Sequence, residues 1–273
     1  MNFIEKLAGA VRKNNSLLCI GLDPDPRLMP EGTGVYEFNK AIIDATGDLV
    51  CAYKPNFAFY EALGEEGMGA LRRTIKYIPP HIPIIADAKR SDIGNTARAY
   101  ATAIFSYLGF DAATVNPFLG FDSVEPFLQY RDKGTIILCR TSNPGAVDFQ
   151  SLRCETKQGY RPLFEIIADK AEEWNTSSNI GLVVGATYPQ ELKLIRDKHP
   201  SLPLLIPGVG TQGGEMEMVV RYGVNTEGEG AIINSSRQVM YASKGRDFAP
   251  AARRVASDLR EQINRFRTGK TWH

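Results

Sequence analysis

Three charged side chains that could do chemistry follow an apolar run in "IIADAKRSDIGNTA", residues 84–97: Asp87, Lys89 and Asp92. Asp87 and Lys89 are two positions apart, so on a strand both side chains point to the same side. A lysine beside acids is expected to stay charged, because neighbouring opposite charges favour the ionised form. We therefore expect Lys89 to donate a proton or to hold an anion, since nucleophilic catalysis would need a neutral amine.

A second group of residues could bind a phosphate. The stretch "PGVGTQGG" contains Gly208, Gly210 and Gln212 between a predicted strand and a predicted helix. The free backbone N–H groups of such a turn can surround an anion, and Gln212 adds a side-chain donor. Arg237, after the last predicted strand, could supply the positive charge. The alternative is that these glycines only turn the chain tightly.

Eight short apolar runs are available to position these residues, and each is followed by a longer stretch of helical period. This alternation predicts parallel βα units, and the continuous hydrophobicity of the runs predicts strands that are covered on both faces. Eight units in about 250 residues favour an α/β fold of the (β/α)₈ TIM barrel type. A doubly wound open sheet is the rival, but its glycine motif would follow the first strand. The runs begin at residues 16, 51, 82, 112, 135, 180, 203 and 230.

The chain shows no linker and no shift in composition, so we predict one barrel domain over residues 1–273. The spacing of Phe3, Ile4, Leu7 and Val11 predicts an amphipathic helix that caps the barrel at the N-terminus. Residues 143–160, between the fifth and sixth predicted strands, are too polar and glycine-bearing to predict a strand or a helix. We interpret them as a lid.

Active sites of such barrels form at the carboxyl ends of the strands. Polar residues end five of the predicted strands: Asp23, Lys54, Asp87 with Lys89, Thr141 with Ser142, and Arg237. Asp92 and Thr96 are four positions apart at the predicted start of the third helix, so they share one face. Asp92 could also be a simple first-turn acid that stabilises this helix.

Composition excludes several classes of protein. The formal net charge is +1, from 32 basic and 31 acidic residues without long runs, so no nucleic acid partner is expected. No apolar run is long enough for a membrane span. The four cysteines have no paired spacing and the three histidines avoid the predicted strand ends. We expect a cytoplasmic protein with reduced thiols and without a metal site built from cysteine or histidine.

Taken together, six of these segments resemble the orotidine 5'-phosphate decarboxylase family, in its longer bacterial type. The resemblance rests on "GLDPDP", "KPN", "DAKRSDIGNTA", "TSNPGA", "PGVGTQGG" and "INSSR", in that order. It implies a carboxy-lyase that converts orotidine 5'-phosphate to uridine 5'-phosphate in pyrimidine synthesis. The reaction would pass through a carbanion at C6 of the pyrimidine, without a cofactor.

The resemblance also implies roles for the residues of the "DAKRSDIGNTA" segment. Lys89 would give its proton to C6, and Asp87 would lie beside the departing carboxylate. Asp92 and Thr96 would reach into the site of a neighbouring subunit, so the working unit would be a homodimer.

Further roles concern substrate binding. Asp23 and Lys54 would contact the ribose, and Ser142 would contact the edge of the pyrimidine. Gln212 and Arg237 would hold the 5'-phosphate, and the lid would close over phosphate and base.

Other functions stay open on the sequence alone. A metal-dependent sugar-phosphate decarboxylase or aldol-type synthase of the same barrel group shares a similar third-strand motif, but its second strand brings a metal-binding glutamate where this chain has Lys54. A Schiff-base aldolase would use Lys89 as a nucleophile. A non-catalytic phosphate-binding barrel would have little use for so many buried charges.

Overall fold

Eight parallel strands form a barrel in the part of the chain that the computed structural model describes, residues 1–157, 159–208 and 213–268. Their order around the barrel is β2-β1-β10-β9-β8-β5-β4-β3, and two parallel bridges, Tyr53 with Ile84 and Asn56 with Asp87, join β2 to β3. The predicted (β/α)₈ barrel is therefore confirmed. The barrel strands are β1 (Leu18–Leu22), β2 (Ala52–Pro55), β3 (Ile85–Arg90), β4 (Ala112–Val115), β5 (Gly134–Arg140), β8 (Ile180–Val184), β9 (Leu204–Pro207) and β10 (Ala231–Ser235). A separate pair is formed by β6 (Arg153–Thr156) and β7 (Gly159–Pro162).

Helices lie between the barrel strands and cover their outer faces. None of the helices within the described residues combines the length and apolarity that a membrane span requires. A π-helix, Thr102–Leu108, continues α5, and short 3₁₀ helices span Pro117–Leu119 and Pro144–Asp148. The α-helices are α1 (Phe3–Asn14), α2 (Val35–Thr46), α3 (Phe57–Glu61), α4 (Gly64–Tyr77), α5 (Gly94–Ala101), α6 (Phe121–Leu128), α7 (Leu163–Trp174), α8 (Pro189–Lys198), α9 (Gly213–Gly223), α10 (Arg237–Met240) and α11 (Phe248–Thr268).

The N-terminal helix α1 caps the end of the barrel at which the strands begin, as predicted. It starts with a capping box: Asn2 Oδ1 accepts from Glu5 N (2.9 Å) and Glu5 Oε2 accepts from Asn2 N (3.0 Å). Phe3 is buried against Gly134 at the start of β5, where an added Cβ would lie 2.4 Å from the Phe3 ring. This end is thereby closed, which leaves the opposite end for the polar strand-end residues.

The lid, residues 143–160, differs from its prediction. It contains a 3₁₀ helix and most of an antiparallel hairpin of β6 and β7, although we expected neither strand nor helix. A two-stranded ribbon on the surface needs no continuous apolar run, so polarity was a poor guide to its conformation. Gly159, with φ of +98°, begins β7, and Arg161 at the end of the hairpin pairs with Glu165 and Asp169 of α7. These ion pairs to α7 therefore stabilise the hairpin, since an isolated two-stranded ribbon is only marginally stable in water.

Gly67 allows α4 to pack closely against α3. An added Cβ at Gly67 would lie 2.1 Å from the backbone oxygen of Tyr60, so no side chain fits there. Tyr60 is fully buried, and its hydroxyl donates a 3.0 Å hydrogen bond to the backbone oxygen of Leu22 at the end of β1. The helix contact thus supports the strand end that precedes Asp23.

We expect Gly67→Ala to lower the free energy of unfolding by about 1–3 kcal/mol, because the methyl group must push the two helices apart. Gly69→Ala, in the same helix, is the matched control, since an added Cβ there meets nothing within 4 Å. It should gain about 0.5–1 kcal/mol from its better helix propensity. Denaturant unfolding measures both, and equal stability of the two variants would contradict this packing argument.

Candidate active site

A carboxylate shared by two ammonium groups lies at the carboxyl ends of β2 and β3. Lys54 Nζ is 2.6 Å from Asp87 Oδ2, and Lys89 Nζ is 2.5 Å from Asp87 Oδ1. The side chains of Lys54 and Asp87 are 5% and 10% exposed, whereas that of Lys89 is 51% exposed. The structure therefore joins three predicted site residues and leaves Lys89 accessible to a ligand from the open end of the barrel.

Lys89 does not continue β3 as a regular strand residue. Its φ is +47°, in the left-handed region, and the register between β3 and β4 shifts between Ala86 and Arg90. A residue with a Cβ pays roughly 1–2 kcal/mol for this conformation. The simple alternation of strand side chains predicted the contact between Asp87 and Lys89, but the backbone reaches it through a strained bulge.

Their opposite charges keep Lys54 and Asp87 ionised. Burial alone would raise the pKa of Asp87, but Lys54 and Lys89 outweigh burial and lower that pKa to about 2. Burial also opposes the charge of Lys54, yet Asp87 and Asp23 together raise its pKa above the ordinary lysine value. Removing one member of such a buried pair costs about 3–5 kcal/mol, because a charge is left without a partner.

Asp23 follows β1 and lies on the other side of Lys54. Burial raises the pKa of Asp23, although Lys54 and a hydrogen bond from Ser236 act in the opposite direction. The Tyr241 hydroxyl donates to the Asp23 backbone oxygen (2.8 Å), which fixes the loop after β1. Among the described residues, no hydrogen-bond partner reaches Asp23 Oδ1. This oxygen is therefore an acceptor that the described part of the chain leaves unused.

Asp92 and Thr96 lie beside the barrel mouth, but Asp92 is not in a helix. The helix α5 begins only at Gly94, which has φ of +54°, so the predicted helix start was two residues too early. The reason is the left-handed turn at Gly94, which a helical pattern does not reveal. In the described residues, the one hydrogen bond to the Asp92 carboxylate comes from the Ile93 backbone N–H. Thr96 is exposed.

The predicted phosphate residues are only partly described. Gly208 has φ of +81°, and an added Cβ there would lie 3.4 Å from Ser142 Oγ, so the ends of β5 and β9 meet at Ser142. Gly210 and Gln212 lie outside the described residues. Arg237 is exposed at the first position of α10. It lines a cavity of about 500 Å³ together with Asp23, Asp25, Arg27, Leu28, Phe59 and Tyr241.

Sequence reasoning missed Thr114, which lies in the apolar run of β4. Its side chain is buried, and its hydroxyl accepts hydrogen bonds from the backbone N–H groups of Ala88 (3.0 Å) and Lys89 (2.9 Å). The hydroxyl is also 3.3 Å from Asp87 Oδ1. A threonine within "AATVNPF" was the available signal, but threonine is common in strands and the bulge it contacts is invisible in the sequence.

Arg140, at the end of β5, was also missed. It is 1% exposed, its Nε donates to Glu191 Oε2 (2.5 Å), and its guanidinium stacks 4.1 Å from the ring centre of Tyr188. Gln150 Oε1, in the lid, accepts a 2.8 Å hydrogen bond from the backbone N–H of Thr141, the residue after Arg140. These contacts attach the lid and the start of α8 to the strand end that carries Ser142.

Comparison with known proteins agrees with this geometry. The profile of the orotidine 5'-phosphate decarboxylase / HUMPS family matches residues 16–252. The chain is 53% identical to the orotidine 5'-phosphate decarboxylase of Dehalococcoides mccartyi over 267 residues, which cover 98% of this chain and 99% of the relative. It is 55% identical to that of Herpetosiphon aurantiacus over 260 residues, 93% of this chain and 95% of the relative.

Solved structures give the same result. The OMP decarboxylase of Leishmania donovani superposes with a TM-score of 0.85 at 39% identity, covering 98% of this chain and 99% of that one. The family predicted from the sequence motifs is therefore confirmed. The chain belongs to the orotidine 5'-phosphate decarboxylase / HUMPS family.

Proposed function

We propose that this protein decarboxylates orotidine 5'-phosphate to uridine 5'-phosphate, with Lys89 as the proton donor. The observation that carries the proposal is the half-exposed Lys89 ammonium, held 2.5 Å from Asp87 at the mouth of the barrel. The bond between C6 and the carboxylate breaks, CO₂ leaves, and the electron pair stays on C6. The Lys89 proton then moves to C6, and the neutral amine regains a proton from water.

The fixed positive charge is the main catalytic device in this proposal. A carbanion at C6 cannot pass its charge to a cofactor, so the site must stabilise the charge where it forms. The Lys89 ammonium is already oriented by Asp87, so little reorganisation is needed during the reaction. Asp87 holds this lysine in place, and its negative charge also faces the substrate carboxylate before CO₂ leaves.

The remaining residues bind the substrate in this proposal. Asp23 and Lys54 contact the ribose, and the unused Asp23 Oδ1 suits a hydroxyl donor. Ser142 contacts the pyrimidine edge. Gly208, Gly210 and Gln212 hold the 5'-phosphate together with Arg237. Phosphate contacts far from C6 supply binding energy that can drive lid closure.

We also propose a homodimer in which Asp92 and Thr96 complete the partner's site. Asp92 is half-buried and Thr96 is exposed in the single chain, next to Ile93, which is 56% exposed. Phe118 and Leu119, after the adjacent strand β4, are 76% and 47% exposed. Apolar side chains left exposed beside the mouth favour burial against a second copy.

The other candidate functions are less compatible with the charges of this site. Lys54 occupies one oxygen of Asp87 with a buried ammonium, which would repel a divalent cation bound at that carboxylate. An ammonium paired with Asp87 is also a poor nucleophile for a Schiff base. A protein that only binds phosphate has no use for a buried ion pair such as Lys54 with Asp87.

The first test is the loss of absorbance as orotidine 5'-phosphate is consumed. Wild-type protein should still convert orotidine 5'-phosphate after treatment with a chelator. The kcat of Lys89→Met should fall about 1,000-fold or more, because the substitution removes both the proton donor and the fixed charge. Lys170→Met, which removes an exposed lysine from α7, is the control and should keep full velocity. Near wild-type velocity of Lys89→Met would refute Lys89 as the donor.

The shared site can be tested by mixing two inactive variants, Asp92→Ala and Lys89→Met. If Asp92 acts across the interface, each mixed dimer contains one complete site. Random exchange makes half of the dimers mixed, so about a quarter of the wild-type velocity per site should return. Exchange is followed with differently tagged chains. Complete exchange without activity would place both residues in the site of one chain.

The phosphate role predicts that Arg237→Ala lowers kcat/KM for orotidine 5'-phosphate by about 100-fold or more, because a charge-assisted contact is lost. Orotidine, which has no phosphate, should lose less than about threefold. Arg27→Ala is the matched control, since Arg27 lines the same cavity but is 88% exposed and paired with Asp25. Equal losses for both substrates would remove Arg237 from phosphate binding.

A further inference from the structure

The hydroxyl of Thr114 fills the gap that the bulge opens between β3 and β4. Backbone pairing of these strands stops at Ala86 with Ala113 and resumes at Arg90 with Val115. The N–H groups of Ala88 and Lys89 lie between these pairs, and both donate to Thr114 Oγ1, at 3.0 and 2.9 Å. A single side-chain oxygen therefore accepts the two backbone hydrogen bonds that the interrupted pairing of β3 and β4 leaves unmade at Ala88 and Lys89.

This oxygen is used to its full capacity. A hydroxyl accepts two hydrogen bonds and donates one. Its two acceptor positions are taken by the two N–H groups, and its proton faces Asp87 Oδ1 at 3.3 Å, with the Ala86 backbone oxygen at 3.4 Å. Thr114 is 1% exposed, so no water can take over these contacts at its surface.

We propose that Thr114 is a positioning residue for the proton donor. It holds the Lys89 backbone in the left-handed conformation and contacts the same Asp87 oxygen that binds the Lys89 ammonium. The hydroxyl thus fixes both ends of the Lys89 side chain: the backbone directly and the ammonium through Asp87. This inference rests on the proposed decarboxylation, which it extends by one residue.

Thr114→Val is the informative substitution, because valine keeps the branched shape and loses the hydroxyl. The N–H groups of Ala88 and Lys89 then lose their shared acceptor, so the bulge should relax and move the Lys89 ammonium. We expect kcat to fall about 100-fold with KM changed less than about threefold, since the residue acts on the chemical step and not on binding. Thr114→Ser restores the oxygen and should return kcat to within about tenfold of wild type.

Thr135→Val is the matched control. Thr135 lies on the neighbouring strand β5 and is fully buried, but no partner for its hydroxyl is found among the described residues. The same substitution should therefore leave kcat unchanged. Thermal unfolding of all variants separates a loss of fold from a loss of position. A folded Thr114→Val protein with kcat within about threefold of wild type would overturn the proposal.

A crystal structure of Thr114→Val tests the geometry without any assay. We expect the φ of Lys89 to leave the positive region and the contact between Lys89 Nζ and Asp87 to lengthen. An unchanged bulge and contact would overturn the positioning role, even if activity falls. If wild-type protein fails to decarboxylate orotidine 5'-phosphate, the proposed function fails, while this structural comparison still decides whether Thr114 holds Lys89. A Thr114→Val protein that does not fold shows a purely structural role and also overturns the proposal.

Discussion

The site depends on one carboxylate, Asp87, that is bonded to two lysines inside the barrel mouth. A buried carboxylate is tolerated only with partners, and a buried Lys54 ammonium needs the same carboxylate in return. This mutual requirement leaves Asp87 Oδ1 to orient Lys89, which is the only one of the three side chains that is half exposed. The interaction that stabilises the buried pair therefore also orients Lys89, the proposed proton donor.

The barrel makes this interaction possible because parallel strands bring their carboxyl ends together. Asp23, Lys54 and Asp87 come from three strands that are neighbours around the ring, although 64 residues separate the first from the last. The opposite end is closed by α1, so charged groups can gather at the mouth without disturbing the apolar interior. Asp23 and Arg237 line the same cavity, so the Arg237 cation lies near the charged group of β2 and β3.

Local strain accompanies the charged group. Lys89 has a left-handed backbone, and Thr114, from the next strand, accepts the N–H groups that the bulge releases. Strain of this kind persists only where neighbouring contacts hold it. A regular strand would have kept the ladder bonds, whereas the bulge lets the chain aim the Lys89 side chain at Asp87. The bulge thus makes the end of β3 less stable, and it also holds the Lys89 ammonium against Asp87.

The sequence by itself determined the barrel, because continuous apolar runs are local features, and its motifs identified the family. It also predicted that Asp23, Lys54, Asp87 and Lys89 lie at strand ends, where the structure places them. It also indicated a lid, but not its hairpin, since a surface ribbon with ion pairs to α7 has no hydrophobic pattern. The start of α5 at Gly94 and the bulge at Lys89 depend on left-handed backbone conformations, which the hydrophobic pattern does not reveal. Only the tertiary structure decided that Thr114 contacts Asp87 and that Arg140 binds Glu191 and Tyr188, because these partners come from other strands and helices. Such contacts arise from packing between distant segments, which residue spacing along the chain does not encode.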